Sequence, residues 1–184
     1  TGAVALDLAS SGVCPVLVAE RPADRTALDS ARRDVAAGRC PAARDDDRSF
    51  VSVRVAGPDE ALARVGQLVT TSIPRAFGHS GSSVAVLVCE ASIDPAPVTA
   101  ALASGGAPDV RVVPFSGSSA DTWPAVVVVL PGPGAPAMTR ALVYAALRAG
   151  TEHVSVVHGH ADDAALAAVL AATTDRPRRT RLAE

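Results

Sequence analysis

Three of the four histidines in the chain lie in one short segment, EHVSVVHGHADD at residues 152–163. Imidazole nitrogens and carboxylate oxygens are common zinc ligands, and His158 and His160 would lie on one side of an extended segment. The same residues also suit a strand that ends and enters a helix, with Asp162 or Asp163 as the helix cap. We favour this second interpretation and expect no metal, because a zinc site needs a third convergent ligand.

Three further motifs resemble functional signatures, but each lacks an essential part. The segment GHSGS (78–82) lacks the last glycine of a nucleophile elbow and precedes a strand instead of following one, so it predicts a polar loop. The three aspartates at 45–47 lack the spacing of a calcium loop and predict a solvated loop. The segment LPGPGAP (130–136) contains prolines, which cannot donate hydrogen bonds to a phosphate, so it predicts a rigid connection from a strand to a helix.

The beginning of the chain shows the spacing of half a dinucleotide site. Residues 3–11 read as an apolar helix, and PVLVAE reads as a buried strand that ends in Glu20. The separation of Gly2 and Glu20 is close to the roughly 20 residues between the last glycine of a G-x-G-x-x-G turn and the acid that binds the ribose. In this interpretation the helix amides after Gly2 face a pyrophosphate, Glu20 accepts hydrogen bonds from the ribose, and Arg21 lies beside it. The first strand and the rest of the glycine turn would then precede Thr1.

The composition excludes several classes of protein. The 184 residues carry a net charge of −2, which gives no electrostatic reason to expect nucleic acid or an anionic membrane as a partner. All 17 basic residues are arginine, so no lysine can act as a catalyst or bind phosphate. No apolar run approaches the roughly 18 residues of a membrane span. The three widely spaced cysteines predict small buried side chains in a reducing compartment, and we expect a cytoplasmic protein.

Helical and extended patterns alternate along the chain. Between residues 26 and 174, helical spacing covers five segments: 26–38 (with Thr26 as a cap and Gly38 as the stop), 58–73, 94–106, 135–150 and 161–174. Strand patterns cover five others: 49–56, 82–90, 109–115, 125–130 and 152–159. This alternation predicts an α/β fold, a Rossmann-like doubly wound, mostly parallel sheet with helices on both faces and its first strand missing. We expect one domain over residues 1–174 and a basic, disordered tail over 175–184.

Several of these segments follow a known family pattern. The helix and strand that open the chain, with ALDSARRDVAAG (27–38) after them, are similar to a glycine-turn helix, a second strand and the next helix. VLVCEASIDPAPVTAAL (86–102) is similar to a later strand and helix, and residues 111–157 align without a gap. Over residues 1–38 and 84–157 the chain thus resembles the NAD-binding domain of the 3-hydroxyacyl-CoA dehydrogenases.

The resemblance implies an NAD-dependent oxidation of an acyl-CoA substrate, with a histidine as general base and a glutamate that orients it. At the positions of this pair the chain has Ser116 and Val128, and neither can take and return a proton. Glu90 stands at the place of the family's asparagine, and Ser92 matches the serine that hydrogen-bonds the substrate. No counterpart of the family's C-terminal helical domain follows residue 159.

Three hypotheses about function follow. The first is a catalytically degenerate, dehydrogenase-like NAD-binding domain, motivated by the missing histidine and glutamate. The second is an active oxidoreductase on an acyl-CoA or another small hydroxy substrate, completed by a missing segment or a partner chain, with His79, His153 or His158 as the base. The third is an unrelated α/β binding or structural module.

The resemblance also sets expectations for ligands and partners. NAD would bind weakly, and Glu20 would favour it over NADP because a 2′-phosphate meets a like charge there. The ligand would be a nucleotide or an acyl-CoA, with no nucleic acid and no membrane as a partner. A homo-oligomer or a partner subunit stays open.

Overall fold

The computed structural model of the chain describes residues 25–42, 47–89, 92–117 and 120–172. This part contains six helices and five strands, together with a π-helical turn at Leu68–Ser72 and a 3-10 turn at Gly81–Ser83. In chain order they are α1 (Thr26–Ala36), β1 (Phe50–Arg54), α2 (Pro58–Gln67), α3 (Ile73–Phe77), β2 (Val84–Cys89), α4 (Pro95–Ser104), β3 (Arg111–Phe115), β4 (Trp123–Val129), α5 (Arg140–Ala149), β5 (Gly150–His158) and α6 (Asp163–Ala171).

The five strands form one all-parallel sheet in the order β1-β5-β4-β2-β3. In the register, Val86 of β2 lies between Val127 of β4 and Val112 of β3. All six residues of β2 are buried. This explains why β2 reads as a continuous apolar run, since a central strand of a parallel sheet is covered on both faces.

Helices cover both faces of the sheet and divide its core in two. Helices α1, α5 and α6 pack on one face, here named the α5 face, through residues such as Leu28, Leu147 and Leu170. Helices α2, α3 and α4 pack on the other, the α2 face, through residues such as Val65 and Val98. Successive residues of a strand point to opposite faces, so the valines of the central strands supply both cores. The predicted Rossmann-like, doubly wound α/β fold is confirmed.

The strand order differs from that of the dinucleotide-binding fold. In the order 3-2-1-4-5-6, the strands after the switch point lie in chain order. Here β4 lies directly beside β2, and β3 lies on the outer side of β2. This topology does not match the sequential strands that the dehydrogenase resemblance implies for residues 84–157.

A single helical stretch, interrupted by a wider turn, connects β1 to β2. Helix α2 continues through the π-helical turn into α3, where Pro74 occupies the first turn. A proline removes one N–H donor from a helix, and a π-type turn is one of the adjustments that accompany such a break. Gly78 then ends α3 with a left-handed φ of 71°, as glycine does at helix ends.

Helix α1 takes its N-terminal hydrogen bonds from distant residues. Thr26, predicted as its cap, is the first helical residue, and Arg25 at the cap position makes no side-chain capping bond. Instead the amide N–H groups of Ala27 and Leu28 donate to the Asp47 carboxylate and the Ser49 hydroxyl, 20 and 21 residues later. The stop predicted at Gly38 is confirmed by its φ of 74° just after the helix.

Most predicted segments match the observed elements within a few residues. The largest difference is at α5, which begins at Arg140 rather than at residue 135 because Thr139 caps it by accepting the Leu142 N–H. Asp162 caps α6 as the sequence predicts. No helix in the described ranges is long and apolar enough to cross a membrane.

Candidate functional site

A cleft of about 260 Å³ opens at the carboxyl edge of the sheet. Because all strands are parallel, the residues that follow each strand meet at this edge. The lining comes from the last residues of β4 and β5 and from the residues that follow β1, β2, β4 and β5: Val55, Ala56, Gly57, Pro58, Ala61, Ser92, Ile93, Val129, Leu130, Gly132, Pro133, Val157, His158 and Gly159.

The cleft lies where the chain leaves the sheet in two directions. After β1 and β2 the chain continues into α2 and α4 on the α2 face. After the intervening strands β4 and β5 it continues into α5 and α6 on the α5 face. The connections diverge at such switch points, and open α/β sheets bind their ligands in the crevice that results. The position of the cleft therefore makes it the candidate binding site of this fold.

The chemistry of the lining is apolar. Its polar side chains are Ser92, whose hydroxyl donates to the Cys89 carbonyl, and His158, whose Nε2 lies 3.1 Å from the Ser52 hydroxyl. No arginine belongs to the lining as the described residues define it. Arg54 ends β1 at the same edge, but its guanidinium donates to the Ala161 carbonyl. The cleft therefore offers shape and apolar contact, without a cation for a phosphate.

Carboxylates lie beside the cleft, on the side of α2 and α4. A groove of about 190 Å³ shares Pro58, Ser92 and Ile93 with it and continues past Asp59 and Asp94. The Asp94 carboxylate caps α4 by accepting the Ala96 N–H at 3.0 Å. The neighbouring Glu60 accepts the N–H of Ala56, which itself lines the cleft, at 2.7 Å. The rim of the candidate site is thus acidic.

The opposite edge of the sheet holds a buried polar network. His153 Nδ1 lies 2.7 Å from the Arg48 carbonyl and donates to it, which leaves Nε2 to accept from the Ser155 hydroxyl at 2.7 Å. Burial lowers the pKa of His153 to about 4, with a smaller opposing effect of the Arg48 carbonyl and a further lowering by His79. The ring of Phe77 packs on that of His153 with centroids 4.5 Å apart.

This network contains a serine and a histidine in hydrogen-bond contact, as a catalytic pair would be, but a substrate cannot reach them. Ser155 is 0% exposed and His153 is 2% exposed. A carbonyl, not a carboxylate, orients the imidazole, so no negative charge bonded to the ring would stabilise an imidazolium. We interpret the pair as structural. Nearby, His79 Nε2 lies 2.8 Å from the partly exposed Glu152 carboxylate and donates a hydrogen bond to it.

The structure separates the histidines that the sequence brings together. His153 belongs to the network at the amino edge, whereas His158 and His160 lie at the carboxyl edge with ring centroids 5.8 Å apart. Burial lowers the pKa of His160, which is 2% exposed and whose Nε2 has no hydrogen-bond partner within the described part of the chain. In that part no three metal-ligating side chains converge.

The residues singled out by the resemblance do not form one site. Ser92 lines the cleft and the groove, but exposed Ser116 lies in a neighbouring depression of about 350 Å³ over the ends of β2 and β3, which meets them at Ile93. Val128 is 0% exposed in the core of the α5 face, so this position faces no ligand. Glu90 lies outside the described residues, as do Gly2, Glu20 and Arg21. The NAD site predicted on the last three stays a prediction.

Three glycines of the cleft were missed by the sequence analysis, although the sequence carries a signal for them. Gly57 follows β1 in the segment VAGP, Gly132 follows β4 in LPGP, and Gly159 follows β5 directly. A glycine just after a strand leaves room at the edge of the sheet where ligands bind. The repeated placement of a glycine after successive strands therefore indicates the cleft.

Comparison with known proteins shows a similar fold among solved structures. No family model matches the sequence, and no curated protein matches it either. The fold is similar to that of the C-terminal domain of a possible DNA helicase from Lactobacillus plantarum WCFS1, with a TM-score of 0.51 and 16% identity. The match covers 77% of this chain and 89% of that domain.

This comparison overturns the dehydrogenase resemblance. The similar solved structure is a domain of a possible helicase, and no sequence match supports a 3-hydroxyacyl-CoA dehydrogenase. The strand order and the burial of Val128 agree with this correction. The resemblance was wrong because alternating apolar strands and Ala-rich helices are common to many α/β folds, and Ser92 was the single site residue that matched the family.

Proposed function

We propose that this chain is a helicase-type α/β domain of a protein that acts on DNA, and that it contributes protein contacts instead of hydrolysing nucleotide or holding phosphate itself. The similarity of fold to the helicase C-terminal domain, over most of both chains, supports the first part. The second part rests on the chemistry of the cleft at the carboxyl edge.

The observation that carries the proposal is the charge of that cleft. Phosphate sites in α/β proteins use cationic side chains or a row of free amides. The described lining supplies no arginine, Pro58 removes one amide at the start of α2, and Asp59 and Glu60 occupy its first turn. A phosphate charge about 6 Å from a surface carboxylate is repelled by roughly 3 kcal/mol at an effective dielectric constant near 20. The cleft therefore disfavours nucleotides and the DNA backbone.

The net charge of the whole chain also disfavours DNA binding. Its 17 basic residues are outnumbered by 19 acidic ones. DNA affinity depends on neutralising several phosphates, so a chain with this balance binds DNA weakly by itself. Contacts to another protein, rather than to DNA, are the contribution that the surface of the cleft favours.

The test measures ATP hydrolysis and DNA binding by the purified chain. We expect no phosphate release from ATP above buffer, with or without single-stranded DNA. Fluorescence anisotropy with a labelled 20-nucleotide strand should give a dissociation constant weaker than about 100 µM at physiological salt, at the weak end of non-specific binding.

Two variants serve as a matched pair for this test. Asp59→Arg changes the charge at the rim of the cleft, and Asp109→Arg makes the same change at an exposed position before β3, at the opposite edge. If the negative charge beside the cleft is what weakens nucleotide binding, Asp59→Arg raises the affinity for ADP more than Asp109→Arg does. ATP turnover by the unmodified chain, or micromolar DNA binding, would contradict the proposal.

A further inference from the structure

The cleft and the groove beside it form one continuous depression with two chemical parts. The cleft has an apolar floor made by the ends of the strands, including Val129, Leu130 and Val157. The groove runs between α2 and α4, past Leu62 and Val98, and carries the carboxylates of Asp59 and Asp94. Pro58, Ser92 and Ile93 belong to both and join them.

The size of each part limits what can occupy it. Pockets for cofactors and drug-sized ligands measure roughly 300–1,000 Å³. Taken singly, the cleft at about 260 Å³ and the groove at about 190 Å³ fall below that range, and only the two together reach its lower part. Each part by itself matches a single side chain of a protein partner, so the whole depression can hold two neighbouring side chains.

The charges at the groove limit the chemistry of the second side chain. Asp59 makes no hydrogen bond or ion pair with another described residue, and no cation belongs to the described lining of either part. Asp94 is held in place as the cap of α4, so its charge stays at the groove. A guanidinium or ammonium group between these carboxylates would supply the missing opposite charge.

We infer that the depression is a docking site for an unfolded segment of a partner protein that presents one large apolar side chain followed within one or two residues by Arg or Lys. The apolar side chain enters the cleft and the cation lies in the groove. This inference rests on the proposed function, since it names the protein contact that the domain makes. An acidic segment or a nucleotide would meet Asp59, Glu60 and Asp94 and is disfavoured.

The experiment selects ligands from a library of random heptapeptides displayed on phage, with the whole chain as the target. Enriched peptides should carry Leu, Met, Phe or Trp followed within two positions by Arg or Lys. Enrichment of acidic peptides, or of none at all, would overturn the inference.

A variant that fills the cleft tests where the selected peptide binds. An added Cβ at Gly132 or at Gly66 meets nothing within 4 Å, so both positions tolerate a side chain at the Cβ level. Gly132 lines the cleft, whereas Gly66 lies in α2 and belongs to neither lining. Gly132→Leu should weaken the best peptide more than tenfold, as loss of a buried anchor does, and Gly66→Leu should leave its affinity unchanged. Equal affinity for the two variants would overturn the inference.

A second pair removes charge and does not depend on filling the cleft. Asp59→Asn should weaken the same peptide roughly threefold, within the range of an exposed ion pair, and the effect should shrink at high salt. Asp109→Asn makes the same change away from the depression and should leave the affinity as it was. ATP turnover would contradict the proposed function alone, whereas peptides indifferent to Asp59 and Gly132 would contradict the docking site alone.

Discussion

The two edges of the sheet carry polar residues of similar types but use them differently. At the amino edge, His153, Ser155 and Ser49 are buried and bonded within the chain. At the carboxyl edge, Asp59 and Asp94 border an open cleft whose floor is apolar. A histidine and serine cluster whose polar atoms have their hydrogen-bond partners within the chain therefore has a structural role. A binding site is indicated where an open cleft lies beside carboxylates whose charge no described cation balances.

The largest expected effect is the loss of the long-range cap of α1. The Asp47 carboxylate accepts the N–H groups of Ala27 and Ser49, and Asp47 is 9% exposed. Asp47→Ala leaves two buried donors without an acceptor and should lower the free energy of unfolding by about 4 kcal/mol. Urea unfolding measures this free energy. Asp109→Ala, at an exposed position, should change the free energy of unfolding by less than about 0.5 kcal/mol. Similar losses in the two variants would show that the buried Asp47 carboxylate stabilises the fold no more than an exposed one does.

The next effect concerns the pH dependence of stability. Burial holds the pKa of His153 at about 4 in the folded chain, against 6.5 for an unperturbed imidazole. Between these values the unfolded chain binds more protons, so the contribution of the neutral imidazole is fully present above about pH 6.5 and is lost as the pH falls towards 4.

The free energy of unfolding should therefore be about 3 kcal/mol lower at pH 4 than at pH 7, since one pKa unit corresponds to about 1.36 kcal/mol. Denaturant unfolding across this pH range measures it in the native chain and in His153→Gln, whose amide does not titrate. The variant should retain the pH dependence of stability that comes from carboxylates and should lack the contribution of His153. The same slope in both chains would mean that folding does not lower the pKa of His153.

A matched pair of glycine substitutions compares the two edges directly. A Cβ on Gly150, the first residue of β5, would lie 2.6 Å from the His153 carbonyl oxygen and would also collide with Val154. Gly150→Ala should therefore lower the free energy of unfolding by about 2 kcal/mol, as overpacking does. Gly132→Ala at the cleft meets nothing within 4 Å and should change it by less than about 0.5 kcal/mol. Thermal unfolding of both variants measures these changes. A larger loss of stability in Gly132→Ala than in Gly150→Ala would contradict the comparison.

The smallest effect is expected within the buried network. Ser155→Ala removes the hydroxyl that donates to His153 Nε2 and should cost about 1 kcal/mol, the net value of one hydrogen bond. Because the pair is structural, the selected peptide should bind Ser155→Ala and the native chain with the same affinity. A change in peptide affinity greater than in Gly132→Leu would place binding at the amino edge instead.

Much of the fold could be predicted from the sequence, but little of the candidate site could be. The Asp162 cap and the apolar runs of β2 and β4 were readable because they depend on neighbours within a few residues. Ser92 was chosen for a dehydrogenase role that proved wrong, although it does line the cleft. The acidic rim was not predicted, since Asp59 and Asp94 become neighbours only when α2 and α4 pack side by side on one face.

By itself, the sequence determined that strands and helices alternate and that the central strands are buried on both faces. These features follow from local periodicity and from the apolar composition of β2 and β4. Only the tertiary structure decided the strand order, the capping of α1 by Asp47, and the placement of His153 beside the Arg48 carbonyl, 105 residues earlier. Parallel strands are joined by long crossovers, so the edge to which a loop belongs, and the loops that it meets there, depend on contacts between residues far apart in the chain.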